Sequence, residues 1–346
     1  MVGAIVIVGS DLDAGGDSVS APKTTGDGGA GSLRLEPAVP LVCVEVLGRS
    51  TLERALEDLH RGGIETISLF ANSSIGPFHA RTKHLASISS YRMDDVWSGA
   101  TLKLAEYRER GIDTVVIVRM DVYAELEIAD ALQFHREQHQ AVTRVFNPDG
   151  PLDIWIMDLA SLNLGADLLT SLRKAEPVRC LIRGYVNRLK RPRDLRQLVV
   201  DALTSRCRLR PEGAEVRPGV WFEEGAQVHR GARIVAPVFI GRNAKIAEQC
   251  LITRCSDVET NCLVDYGTVV EDSSILSNSY IGIGLDLSHS LVDGNNLINL
   301  EHDVTLEIAD PGVIRQNRPR KDTYRKAPVA YGYRELTFSP AEDGTR

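Results

Sequence analysis

No apolar run in this chain reaches the eighteen or so residues that a membrane-crossing helix needs, so no such span is expected. No C-x-x-C pair occurs among the six cysteines, Cys43, Cys180, Cys207, Cys250, Cys255 and Cys262. Their spacing fits core thiols in a reduced, cytoplasmic setting. The opening MVGAIVIVG has no basic leader, and an acidic loop stands where a cleavage site would be, so it reads as a buried strand. Nor is there an excess of positive charge. The 40 Lys and Arg are outnumbered by 47 Asp and Glu, for a net charge of −7, which argues against a general nucleic-acid binder. What is present is 346 residues with 43% hydrophobic content, enough for two domains with ordinary cores.

From Val216 onward apolar residues recur every six positions: Val216, Phe222, Val228, Ile234, Ile240, Ile246, Ile252, Val258, Val264, Val270 and Leu276. Two positions before each stands a mostly small residue, as at Ala226, Ala244, Cys250, Ser256, Cys262 and Thr268. Neither a helix nor a flat strand has that period. Short faces wound into a parallel β-helix do, with the large residue filling the core and the small one near a corner. Glycines 213, 219, 225 and 231 suit the turns between early faces. This stretch resembles the hexapeptide-repeat, left-handed β-helix family. An offset series, Val292, Ile298 and Val304, suggests that the period continues after an insertion or bent coil at 281–291. Asp310-Pro311-Gly312 reads as a stop, and the tail from Arg315 is basic and polar.

The N-terminal half alternates apolar runs (4–8, 66–70, 114–118, 141–146 and 153–157) with helical patterns. Such alternation predicts an α/β domain with a mostly parallel sheet. Ser50 and Glu53 form a capping-box pattern ahead of Leu52, Ala55, Leu56 and Leu59, with Gly62 as the stop. A further helix is expected over about 126–138. Residues 10–38, rich in Gly, Ser, Asp and Thr, read as a long insertion.

Two segments of this half carry a second resemblance. PLVCVEVLGRSTLERALEDLHRGGIETISLF and TVVIVRMDVYAELEIADALQFHREQH are similar to sugar-phosphate nucleotidyltransferases of the mannose-1-phosphate guanylyltransferase and glucose-1-phosphate adenylyltransferase type. The resemblance implies a Rossmann-like nucleotidyltransferase domain over 1–205, a left-handed parallel β-helix over 210–312, and a basic tail over 313–346. It also implies joining of a nucleoside triphosphate to a sugar 1-phosphate with release of pyrophosphate, helped by Mg²⁺. Nucleotide or nucleotide sugar would be the ligand, and a homo-oligomer would form through the β-helix.

That chemistry needs phosphate-binding N–H groups, a bridging metal and lysines. Gly9 stands where the family's phosphate loop begins, but GSDLDAGGDSVS lacks its Gly-Thr-Arg triplet. Asp11, Asp13 and Asp17 would repel a triphosphate by roughly 1 kcal/mol or more per close pair. Val39 replaces the family's lysine, and nothing places Lys23 in its stead. Asp121 matches the first metal carboxylate, with Met120 in place of glycine, while Arg188 falls on the second. The reading is therefore a degenerate site with a scaffolding or regulatory role in sugar-nucleotide or surface-polysaccharide metabolism. An active pyrophosphorylase using Lys23 and Asp121 is the alternative, and a hexapeptide acyltransferase with His289 as base is the second.

Other patterns read more plainly. His135 and His139 share a helix face but lack the adjacent glutamate of a zinc protease, so they read as packing or surface residues. His229, His289 and His302 fall on the β-helix, and His289, in its irregular part, reads as a solvated coil residue. The basic stretches 188–193 and 315–326 read as a solvated linker and tail.

Overall fold

The computed structural model describes residues 1–9, 39–73, 88–161 and 167–317. The chain divides into two compact units. The first comprises Met1–Val44 and Arg49–Leu195, the second Glu45–Gly48 and Arg196–Arg346. The division thus falls at 195/196, ahead of the expected end at 205, and four early residues belong to the second unit.

The first unit is a mixed α/β structure. Its seven-stranded sheet contains β1 (Val2–Val8), β2 (Thr66–Asn72), β3 (Ile88–Met93), β4 (Thr114–Met120), β5 (Val142–Asn147), β6 (Gly150–Asp158) and β7 (Val178–Leu181), in the order β3-β2-β1-β4-β6-β5-β7. Only β6 runs against its neighbours. β1 lies inside the sheet, between β2 and β4, and is buried from Gly3 to Val8, which is why its sequence is continuously apolar rather than alternating.

Around the sheet lie α1 (Thr51–Arg61), α2 (Val96–Glu109), α3 (Ile128–Gln138) and α4 (Leu168–Lys174). α1 begins with the predicted capping box. Ser50 Oγ accepts from Glu53 N–H at 3.2 Å, and a Glu53 carboxylate oxygen accepts from Ser50 N–H at 3.0 Å. α2 starts at Asp95, whose carboxylate accepts from the N–H groups of Trp97 and Ser98. The basic stretch at 188–193 is more than a loose linker. It runs into α5 (Pro192–Leu203), with Asp194 accepting from the N–H groups of Lys190 and Arg191.

In the second unit, short strands visit three sheets in turn. Val228 pairs in parallel with Ile246 and Ile246 with Val264; Ile234 pairs with Ile252 and Ile252 with Val270. Each step is a return after 18 residues. The next return is one residue shorter: Val258 meets Ile275, Val264 meets Ile281 and Val270 meets Leu287. All but Val228, which is half-buried and packs against them, belong to one buried cluster. The arrangement is compatible with a parallel β-helix, and the core column corrects two sequence expectations. Ile275, not Leu276, continues it. Residues 281–291 are no insertion, since Ile281 and Leu287 hold their places in it.

The small residues have a second use beyond fitting a corner. Thr268 Oγ1 donates to Gly282 O at 2.6 Å, Ser273 Oγ to Glu271 O at 2.8 Å, and Cys250 and Cys262 Sγ lie 3.0 Å from Asp265 O and Leu276 O. Buried turn carbonyls thereby find donors. At another corner Gly225 has φ +73, and its place is taken in later coils by Asn243, Asn261 and Asn278, all left-handed. Asparagine tolerates that conformation, and here its side chains also bond from coil to coil.

The repeat ends in antiparallel structure. Ser290–Asp293, Asn296–Asn299 and Val304–Glu307 form a meander. Of the offset series, Val292 pairs with Ile275 in the core and Ile298 is buried, but Val304 is 44% exposed, so the series stops within the meander. Past the turn at Asp310, Ile314–Gln316 lies antiparallel on Ser279–Ile281 and buries Ile314, so the stop is followed by a covering strand. Arg315, expected in a solvated tail, stacks on Tyr280. Residues 318–346 lie outside the described residues.

Candidate functional site

From β1 the chain builds β2 and β3 to one side, then crosses back to place β4 on the other side of β1. In open α/β sheets ligands gather at such a reversal, outside the carboxyl ends of the strands. The register Val8↔Met120 sets Gly9 and Asp121 side by side there. Gly9 has φ +74, a backbone that only glycine adopts freely. Asp11, Asp13, Asp17 and Lys23 lie outside the described residues. Val39 is half-buried, just ahead of a short 3₁₀ turn at Leu41–Cys43.

Asp121 does not stand alone. Arg119 donates from Nη2 to its carboxylate at 2.7 Å, and also donates from Nε to Asp153 at 2.8 Å. Arg144 completes the group, donating to the other Asp153 oxygen at 2.8 Å. Burial holds the Asp121 carboxyl above the ordinary carboxylate range; Arg119 pulls it back, Asp153 pushes it up, and Lys190 and Arg188 pull it down. The antiparallel pairing Tyr123↔Asn187 brings Arg188 to this end of the sheet, where it donates to Pro151 O at 3.3 Å. A divalent ion needs several oxygen ligands. Here one guanidinium lies against both carboxylates, and among the described residues no three His, Cys, Asp or Glu are placed to hold a metal. This donor set does not fit a resident metal ion.

Arg119 and Asp153 escaped the sequence reading, yet both left a signal. Each is the lone charge inside a buried apolar run, TVVIVRM and PLDIWIM, and such charges need partners. Val118, Met120 and Ile154 line a pocket with Ala55, Leu59 and Leu126. The charged residue in its lining is Asp58, whose carboxyl burial pushes up, and among the described residues no Lys or Arg stands there to meet a phosphate.

The histidines part company. His135 is buried, with Nδ1 2.8 Å from Thr143 Oγ1, while His139 closes α3 in the left-handed conformation. His229 accepts from Gly231 N–H. His302 takes a turn through its own N–H to Asn299. His289 is better held. Its Nδ1 lies 2.6 Å from Asp272, and Arg196 donates to the other oxygen of Asp272 at 2.7 Å.

The second unit hides a further charged group. Arg196 also reaches Asp257, at 3.4 Å, and the carbonyls of Arg254 and Cys255. Asp257 is fully buried, and burial pushes its carboxyl up to about 6 against the pull of Arg196. Glu259, also buried, accepts from Leu47 N–H at 2.6 Å and Gly48 N–H at 2.9 Å. Burial raises its carboxyl too, and Asp257 and Glu45 raise it further.

A pH prediction follows from Asp257. Unfolded, it titrates near 4. A raised folded value means the folded protein binds this proton more tightly. Its contribution to stability is complete below about pH 4 and is lost as pH rises through about 6. Compared with Asp257→Asn, the wild type should lose stability over that window in urea titrations. A flat difference between the two proteins would remove the assignment.

A scan against family models finds no match to this chain, and a search of curated proteins finds none either. Among the described residues no helix is long and apolar enough to cross a membrane.

Proposed function

We propose that the first unit is a sugar-phosphate nucleotidyltransferase-like domain that has ceased to turn over. The protein then serves sugar-nucleotide or surface-polysaccharide metabolism in the cytoplasm as a scaffold, or as a regulator that binds a nucleotide or nucleotide sugar weakly. The second unit takes the part of a left-handed β-helix, and a homo-oligomer forms through its lateral faces.

The observation that carries the reading is Arg119 held between Asp121 and Asp153. Transfer to a sugar 1-phosphate would need Asp121 free to hold Mg²⁺, and a cation already neutralises it. Val39 offers no charge where the family has lysine, and Arg188 brings a positive charge where the family has its second metal carboxylate. A site at a strand-order reversal, with a glycine turn but without its metal ligands, suits recognition better than phosphoryl chemistry.

The test is pyrophosphate release with Mg²⁺ across nucleoside triphosphates and sugar 1-phosphates, beside calorimetry with nucleotides and nucleotide sugars. The expected result is no turnover, and weak binding or none. Robust release by the wild type, abolished in Asp121→Ala, would establish the active pyrophosphorylase instead. Light scattering that shows a monomer at tens of micromolar would remove the oligomer.

A second reading has one observation in its favour. The imidazole of His289, anchored at Nδ1 by Asp272, is oriented as a general base is. It would serve a hexapeptide acyltransferase, and absence of acetyl-coenzyme A binding would dismiss it.

A further inference from the structure

Four neighbouring strands turn a row of side chains to one face of the first unit's sheet. Ile117 pairs with Trp155, Trp155 with Arg144, and Arg144 with Arg179. Two residues along from Ile117 and Trp155, Arg119 and Asp153 share that face and meet on it. Arg144 lies over the Trp155 ring at 4.9 Å, and Arg179 over the Phe146 ring at 5.2 Å. Three arginines thus cross the sheet on β4, β5 and β7, beside Asp121.

Their charges are not equally matched. Arg119 is held by Asp121 and Asp153, and Arg144 by Asp153 and the carbonyl of Leu152. Arg179 gives the Phe146 ring one face of its guanidinium, and among the described residues its N–H groups meet no acceptor. Arg188 donates to Pro151 O, and Pro151 pairs with the same Phe146. No carboxylate among the described residues takes a hydrogen bond from Arg188, nor any acceptor from the exposed Lys190 ammonium. Both cations lie close enough to Asp121 to pull its carboxyl down. Asp149, in the turn between β5 and β6, accepts from Asn147 Nδ2 at 3.0 Å. The sequence holds no Asp or Glu between 177 and 193.

We propose that this face binds a diphosphate group without a metal ion, between Arg179 and Arg188 and with Lys190 beside them. On the reading of the first unit as a nucleotidyltransferase-like domain without turnover, on which this rests, the diphosphate belongs to a nucleotide or nucleotide sugar. An arginine fork matches two phosphate oxygens, and a diphosphate carries enough charge to engage more than one cation. β6 and β7 are two strand spacings apart, about 10 Å, a gap that two arginine side chains close. The same cations disfavour Mg²⁺. A metal complex of the ligand would bring positive charge to guanidinium groups, while Asp121 and Asp153 are already held by arginine.

Calorimetry of the full chain with inorganic pyrophosphate in EDTA should show saturable binding, and excess Mg²⁺ should weaken it severalfold. ADP, GDP, UDP and UDP-glucose in the same buffer show whether the group is taken free, on a nucleoside or on a nucleotide sugar. Arg179→Ala and Arg188→Ala should each weaken binding about tenfold or more, the worth of a charged hydrogen bond. Arg179 is exposed, so its loss should leave the melting temperature unchanged. Arg179→Lys should recover only part, since an ammonium lacks the fork. Lys245→Ala removes an exposed cation of the second unit and should change nothing. Binding that requires Mg²⁺, no binding of any of these probes, indifference to both arginine substitutions, or an equal loss in Lys245→Ala overturns the proposal. None of these outcomes touches the reading of the domain itself, which turnover alone overturns: pyrophosphate release from a nucleoside triphosphate and a sugar 1-phosphate.

Discussion

Ile246→Asp is expected to unfold the second unit. Ile246 is fully buried and pairs with Val228 on one side and Val264 on the other, in the middle of the core column. A carboxylate there has no cation and no donor within the column. An isolated buried charge costs several kcal/mol even after its pKa shifts, against a typical folding free energy of about 5–15 kcal/mol. Loss of the packed isoleucine adds a cavity cost of about 2–5 kcal/mol. Ile246→Val should cost only about 0.5–1.5 kcal/mol, which separates charge from mere volume. Urea denaturation followed by circular dichroism reads both. An aspartate variant within about 1 kcal/mol of wild type would show that the column is not a packed interior.

Arg196→Met comes next in size. The Arg196 side chain is 7% exposed and serves five groups: the carboxylates of Asp257 and Asp272, the carbonyls of Arg254 and Cys255, and Ser274 Oγ. Removing it strands Asp257, one of whose oxygens already has no hydrogen-bond partner. Breaking a buried pair in this way typically costs about 3–5 kcal/mol. Arg196→Lys should recover only part, because an ammonium cannot fork to two carboxylates and two carbonyls. The decisive comparison is the double variant with Asp257→Asn. With the stranded charge gone, much of the loss should return, and the two single costs should not add. If they add in full, Arg196 stabilises by packing alone.

The ease of reading the second unit came from its repetition. A core visited every six residues announces itself without any knowledge of pairing. The one-residue shortening near Asp272 did not, because Ile275 and Leu276 are adjacent and both apolar. Only the pairing of Val258 with Ile275 chooses between them. In the first unit β1 and β4 were legible as unbroken apolar runs, and α1 by its cap. α2 was harder to see. Leu102 is 75% exposed on it, while Lys103 is largely buried beside Tyr91, so its apolar stripe is blurred.

The candidate site was legible where it depends on a strand end. Asp121 follows directly on β4, and its closeness to Gly9 follows from two neighbouring strands ending together. Arg119 stands only two residues before Asp121, so that pair is local; what was not legible is Asp153, which arrives 34 residues later on the antiparallel β6 to share the same guanidinium. Arg196 and its carboxylates are separated by 61 and 76 residues, beyond the reach of any local pattern.

The grip of Glu259 on Leu47 and Gly48 bears on the order of synthesis. The two ends of that contact are 212 residues apart in the chain. At about 5–20 residues per second, a ribosome makes Leu47 some ten to forty seconds before its carboxylate exists. Until then Glu45–Gly48 has no place in the second unit, however complete the sheet growing around β1. Closing that contact reaches back across most of the polypeptide, at a closure entropy that grows only slowly with loop length. A fragment beginning at Arg196 would carry every coil and still lack this piece of itself, leaving Glu259 buried without its two amide donors. The boundary between the units is thus a property of space rather than of sequence, and no single cut separates them.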